Sequence, residues 1–128
     1  MKKREVKTEN APIPVGPYSQ AVIAGDFVFC SGQIALDPRT GTIVGNDIES
    51  ETTRVMENLK AVLESAGSSL DSILKATIFL KNMDDFAIVN KVYSRYFGEI
   101  PPARSTVEVA KLPKGVSVEI DCIAVLNR

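Results

Sequence analysis

The chain has 128 residues, 45% of them hydrophobic and 24% charged, with 15 Lys and Arg against 16 Asp and Glu for a net charge of −1. A chain of that size and balance can bury one core, and it lacks both the charge excess of a disordered segment and the positive field that gathers nucleic-acid phosphates. It contains no histidine, which removes Ser-His-Asp triads, His-activated thiols and imidazole metal clusters from consideration.

The start, Met1-Lys2-Lys3-Arg4-Glu5, leads into no apolar stretch and so does not read as a secretory signal. The longest wholly apolar run, residues 122–126, falls far short of the roughly 20 residues a membrane helix needs. A cytoplasmic protein without membrane contact is expected. Cys30 and Cys122 are too few for a disulfide framework or a structural zinc site and are expected as reduced core residues. No repeat or polar linker divides the chain, so one domain over 1–128 is expected.

Residues 20–24 and 27–34 are β-type runs flanking Gly25-Asp26, a pair suited to a tight hairpin. Asp37-Pro38-Arg39-Thr40-Gly41 reads as a turn. From 50 to 66 the apolar positions Val55, Leu59, Val62, Leu63 and Ala66 recur at helical spacing, and Gly67 is placed to stop that helix. Residues 74–80 alternate, with Leu74, Ala76, Ile78 and Leu80 on the face expected to be buried. Asp84 or Asp85 is placed to cap a second helix, with Phe86, Val89, Tyr93 and Phe97 as its buried stripe and Gly98 as its stop. After Pro101-Pro102, the β-rich runs 103–109 and 116–125 are expected to pair as a hairpin around Pro113 and Gly115. The order ββαβαββ predicts an α+β sandwich, two helices on one face of a mixed sheet. The other face needs a cover, and in so small a chain another copy is expected to supply it.

Chemistry concentrates in that last hairpin. With its loop centred near Leu112, Arg104 lies across from Glu119, a carboxylate placed between Val118 and Ile120 in a strand that otherwise reads as interior. One reading is a cross-strand ion pair that only stabilises the sheet. The other is an anion pocket, in which arginine grips a carboxylate through paired hydrogen bonds and Glu119 positions or deprotonates a water. The loop 10–18, stiffened by Pro12, Pro14, Gly16 and Pro17, carries Ile13, Val15 and Tyr18 and reads as packed rather than free. Ser31-Gly32 interrupts an apolar run, as a bulge or a ligand approach does, and plain packing is an equal alternative. No phosphate loop is present and no lysine is singled out as a nucleophile, so no cofactor and no metal are expected.

Taken together these motifs resemble the RidA subgroup of the Rid imine deaminases. The resemblance rests on Gly16-Pro17-Tyr18-Ser19-Gln20, on Ser31-Gly32-Gln33, on Asp85-Phe86 through Asn90, and on Pro102-Ala103-Arg104-Ser105 followed by Val107, Ala110, Leu112 and Val118-Glu119-Ile120. It runs nearly end to end. It implies a chorismate-mutase-like α+β protomer, a homotrimer around a barrel-like core, and active sites in clefts between subunits. It also implies hydrolysis of 2-imino acids or their enamine tautomers, such as 2-iminopropanoate and 2-iminobutanoate, to 2-keto acids and ammonia.

By the same resemblance Arg104 binds the substrate carboxylate and Glu119 holds or activates the attacking water. Tyr18 and Phe86 shape the pocket, Ser31 and Gly32 line it, and Asn90 is a nearby polar contact. Thr106 stands on the pocket wall where many RidA-like proteins carry Cys. Two other readings remain: a non-enzymatic module that senses a small carboxylate, and an RNA-acting translation inhibitor. The absence of a basic stripe and of histidine argues against the second.

Overall fold

The computed structural model describes residues 2–127. In chain order it contains β1 (Lys3–Val6), β2 (Ala21–Ala24), β3 (Phe27–Gln33), α1 (Ile48–Ser65), β4 (Ile73–Leu80), α2 (Phe86–Ser94), β5 (Ala103–Glu108) and β6 (Val118–Val125). The strands form one mixed sheet in the order β1-β2-β3-β6-β4-β5. β5 runs parallel to β4, and the other neighbours are antiparallel. This is the predicted α+β class. None of the described helices is long and apolar enough to cross a membrane.

The predicted terminal hairpin is not formed. β5 pairs with β4 at the sheet edge, while β6 inserts between β3 and β4 in the interior. The reason is local order: β4, α2 and β5 form a crossover unit whose strands lie side by side and parallel. The run from Val109 to Ser117 then carries the chain back across β4. β1 carries no strand signal in its sequence, because Lys3-Arg4-Glu5 lacks an apolar face. Its burial pattern, exposed except at Val6, is that of a charged edge strand, which discourages further pairing.

The helix-side face of the sheet carries the core. Val28, Cys30, Ala76, Ile78, Leu80, Val118, Ile120, Cys122 and Ala124 alternate inward against Val55, Met56, Leu59, Val62 and Leu63 of α1. Both cysteines are free and buried, opposite one another across β3 and β6. On β4 a register irregularity between Ile73 and Lys75 shifts the expected pattern: Ile73 is buried, and Leu74 is 46% exposed.

α1 is capped by Asp47, whose Oδ1 accepts from the Ser50 N–H at 2.7 Å. The entry to α2 also departs from expectation. Neither Asp84 nor Asp85 caps with its side chain; Asn82 Oδ1 accepts from the Asp84 N–H, and Glu108 Oε1 on β5 accepts from the Met83 N–H. Phe86 is 38% exposed rather than buried, and α2 ends at Ser94, before Phe97.

Two buried polar side chains hold the loops that surround the site. Gln20 donates from Nε2 to the carbonyls of Thr8, Ala11 and Pro12 and accepts the Thr8 N–H at Oε1, so one amide staples the proline-rich loop to β2. Asn58 on α1 donates from Nδ2 to the carbonyls of Ile34 and Leu36 at 3.1 and 3.0 Å. Each of those carbonyls left buried without a partner would cost about 1–3 kcal/mol, which is why an amide interrupts an apolar helix face.

Candidate functional site

Strand alternation decides where each predicted residue lies. Register runs Cys30–Cys122–Ala76–Arg104 in one row and Glu119–Phe79–Val107 in another. The first row points to the helix side, because Cys30, Cys122 and Ala76 are buried under α1. Glu119 lies an odd number of residues from Cys122 and therefore points to the other, open face. Arg104 and Glu119 are thus not cross-strand partners, and β4 runs between their strands. Within one protomer they sit on opposite sides of the sheet, and the stabilising ion pair is excluded along with a single-chain pocket holding both.

The Glu119 side is a cavity of about 400 Å³ lined by Tyr18, Ser31, Gly32 and Glu119, with Ile13 and Val15 among its apolar walls. A bulge between Cys30 and Gln33 places Ser31 and Gly32 out of the ladder. The Ser31 hydroxyl donates to the Ser19 carbonyl, and its N–H donates to the Gln20 carbonyl at 3.0 Å, which ties the bulge to the Gly-Pro-Tyr-Ser-Gln segment. The bulge needs glycine for a definite reason. A Cβ on Gly32 would come within 2.8 Å of Glu119 Cδ, so the backbone itself forms the seat of the carboxylate. Tyr18, 48% exposed, stands over the opening, its Oη accepting the Val15 N–H at 3.4 Å.

Burial pushes the Glu119 carboxyl above its ordinary range, and the like charge of Asp121, two residues along the same face, adds to the shift. Asp121 is also raised by burial, with hydrogen bonds from Thr77 acting in the opposite direction. A half-buried carboxylate with a raised pKa, facing a cavity, is suited to take a proton from water.

The Arg104 side lies under α2 at the free edge of the sheet, where a depression of about 260 Å³ is lined by Asn90, Tyr93, Phe97, Pro101 and Arg104 among others. Arg104 Nη1 donates to Asn90 Oδ1 at 2.7 Å. The guanidinium carbon sits 5.6 Å from the Phe86 ring centre and 5.1 Å from that of Tyr93. Thr106, next on the same face of β5, has a buried Oγ1 without a hydrogen-bond partner, as does Tyr93 at Oη. Burial pushes the Tyr93 phenol up to about 12.

The predicted residues therefore fall into two groups: Tyr18, Ser31, Gly32 and Glu119 on one surface, and Phe86, Asn90, Arg104 and Thr106 on another. Sequence reasoning missed Tyr93 as part of the second group, although its spacing from Phe86 and Asn90 on one helix stripe carries the signal. It also passed over Lys114, which lines the Glu119 cavity with a left-handed backbone, φ +57°. Among the described residues, no group of three His, Cys, Asp or Glu could hold a metal ion.

The profile of the family described as Endoribonuclease L-PSP matches residues 8–126. The 2-iminobutanoate/2-iminopropanoate deaminase of Salmonella typhimurium is 47% identical over 125 residues, covering 95% of this chain and 97% of that protein. The crystal structure of RidA from a Psychrobacter species superposes with a TM-score of 0.93 at 41% identity, covering 96% of this chain and 99% of that one. The chain belongs to the Rid family, in its RidA subgroup. A RutC family protein of Pyrococcus horikoshii, 57% identical over 122 residues and covering 95% and 97% of the two chains, is a further relative. Within this Rid fold the Arg104 and Glu119 surfaces face different directions, so in one protomer the two groups cannot reach the same small molecule.

Proposed function

We propose that this Rid chain hydrolyses 2-imino acids, with 2-iminopropanoate and 2-iminobutanoate as substrates, in clefts where the Arg104 surface of one copy meets the Glu119 surface of the next. The observation that carries the reading is the separation itself: a guanidinium with no carboxylate partner among the described residues and a carboxylate of raised pKa lie on opposite faces of one sheet. The open face also carries Phe27, Phe29 and Val107, 44%, 45% and 40% exposed, an apolar surface that another protomer would cover. A closed ring of three copies brings both surfaces of every chain into use and leaves none unpaired.

In such a cleft Arg104 takes the substrate carboxylate through its free donors and so presents C2 of the iminium to Glu119. Glu119 accepts a proton from water as the water oxygen bonds to C2 and the C=N π electrons move to nitrogen. The resulting amine is protonated, the C–N bond breaks with its electrons leaving on ammonia, and loss of the hydroxyl proton gives the 2-keto acid. Substrate and water enter; 2-keto acid and ammonium leave, with no oxidant or reductant. The carbon is already electrophilic, so orientation and a seated base are sufficient chemistry.

The family's description refers to RNA cleavage, yet this chain has a net charge of −1 and no histidine for in-line phosphodiester chemistry. The deciding assay generates 2-aminoacrylate with a serine or threonine dehydratase and follows 2-keto acid release. We expect acceleration by the purified protein and none by the Arg104→Ala variant; an unchanged rate with wild type present overturns the proposal.

A further inference from the structure

We infer that Asn90 is the positioning residue of Arg104, an uncharged acceptor that fixes the guanidinium while leaving its positive charge to an incoming carboxylate. The inference rests on the reading of Arg104 as the substrate clamp.

The geometry is a three-point hold. α2 presents Phe86, Asn90 and Tyr93 along one helical stripe, and all of them meet the same guanidinium. Tyr93, 5% exposed, is fixed in the core and supplies a rigid ring, while Phe86 supplies a partly exposed one. Asn90 Oδ1 accepts from Nη1 at 2.7 Å, a length typical of a charge-assisted bond. Aromatic faces alone would leave the guanidinium free to turn in its plane; the amide removes that freedom by engaging one nitrogen. An arginine has five donors in a planar fork, so the hold leaves others for a bidentate grip on a ligand. The rotamer ordering that binding would otherwise require is already complete.

The choice of amide over carboxylate then has a chemical meaning. Aspartate has the same shape and would accept the same hydrogen bond, but it would also form an ion pair with Arg104. An ion pair in this half-buried place would compete with the ligand for the charge and for the fork. Asparagine aligns without competing. No carboxylate among the described residues occupies that role; the ion pairs Lys7–Glu5, Arg39–Asp37 and Arg95–Glu49 all lie elsewhere.

A structural role and a charge-sparing role rank two near-isosteric variants in opposite order. If Asn90 served only to hold the fold together, Asn90→Leu, which loses the hydrogen bond, would be the more damaged. If it spares charge, Asn90→Asp is the more damaged although it keeps the bond. Asn90 is exposed, so neither change threatens the core. The experiment measures 2-ketobutanoate binding by calorimetry and KM and kcat for imine hydrolysis on the assembled protein, with melting temperature and oligomeric state as fold controls. We expect Asn90→Asp to weaken 2-ketobutanoate binding and raise KM by roughly 10- to 100-fold, with kcat within about threefold of wild type, and Asn90→Leu to cost roughly tenfold or less. Asn90→Asp binding like wild type, or Asn90→Leu proving the worse binder, overturns the inference. A wild type that binds 2-ketobutanoate with the expected variant ranking yet hydrolyses no imine sinks the proposed activity and leaves the positioning role standing.

Discussion

Two inactive chains should make an active protein. Arg104 and Glu119 occupy opposite faces of the sheet, in register rows with β4 between their strands, so each proposed site draws one residue from each of two neighbours. The variants Arg104→Ala and Glu119→Gln remove one half each. In a random one-to-one assembly, a given cleft receives its intact Glu119 from an Arg104→Ala chain half the time and its intact Arg104 from a Glu119→Gln chain half the time. About one quarter of all clefts are then complete, and since every mixed ring of three holds one complete cleft, the doubly tagged oligomer is expected to recover about a third of wild-type activity from variants that separately show almost none. Co-expressing the two variants with different affinity tags, isolating the doubly tagged oligomer and measuring 2-keto acid release from enzymatically generated 2-aminoacrylate provides the assay. The result that refutes the reasoning is a doubly tagged oligomer no more active than its parents, since that outcome requires both groups to act from one chain.

Two further outcomes follow from the seat of Glu119. Gly32→Ala places a Cβ within 2.8 Å of Glu119 Cδ and must displace the carboxylate; a shift of that order is expected to lower kcat/KM by about 100-fold while the melting temperature changes little, and a near-normal rate would show that Glu119 needs no fixed seat. Because burial and the neighbouring Asp121 raise the Glu119 pKa, its active, ionised form is lost as pH falls through a value above the ordinary 4.5, and Asp121→Asn, which removes one of the two causes, should move the acidic limb of the pH–rate profile to lower pH. The sign for stability is the reverse: a carboxyl raised in the folded state favours folding below its unfolded pKa and penalises it once pH rises past the folded value, so Glu119→Gln should melt higher than wild type at pH 7 while losing activity.

Most elements were readable because their signals are local. The stripe Val55, Leu59, Val62 and Leu63 specifies α1, and the Gly25 turn, with φ +60°, joins β2 to β3 as the Gly-Asp pair suggests. The β5–β6 pairing was misread because adjacency in sequence favours hairpins, and no local feature distinguishes a strand that returns to its neighbour from one that crosses β4. That single error carried the site with it. Pairing 103–109 with 116–125 puts Arg104 opposite Glu119 on one surface, whereas the parallel β4–β5 register puts them on two. The residue types were legible even so, since a carboxylate within an apolar strand is an anomaly in any pairing and Arg104 opens a β-rich run just after Pro101-Pro102. Tyr93 escaped notice because its spacing fits both a core stripe and a cation cradle, and it serves as both.

The division of the site between two faces also bears on how copies would recognise one another. Each protomer holds a positive charge among two aromatic rings and an amide, without a carboxylate partner among the described residues, and a negative charge that burial disfavours. Bringing an Arg104 surface towards a Glu119 surface would set opposite charges across the seam, while bringing two Glu119 surfaces together would set like charges against each other. Apolar contact through Phe27, Phe29 and Val107 has no direction of its own, so the charges would set the head-to-tail sense that a closed ring requires. In the proposed cleft a substrate carboxylate would enter as a competitor for Arg104, and the proposed hydrolysis would need the Arg104–Glu119 contact to stay long or water-filled while the cleft is empty. The aromatic and amide hold on Arg104 would meet that requirement, because it keeps the guanidinium against α2 rather than free to swing onto Glu119.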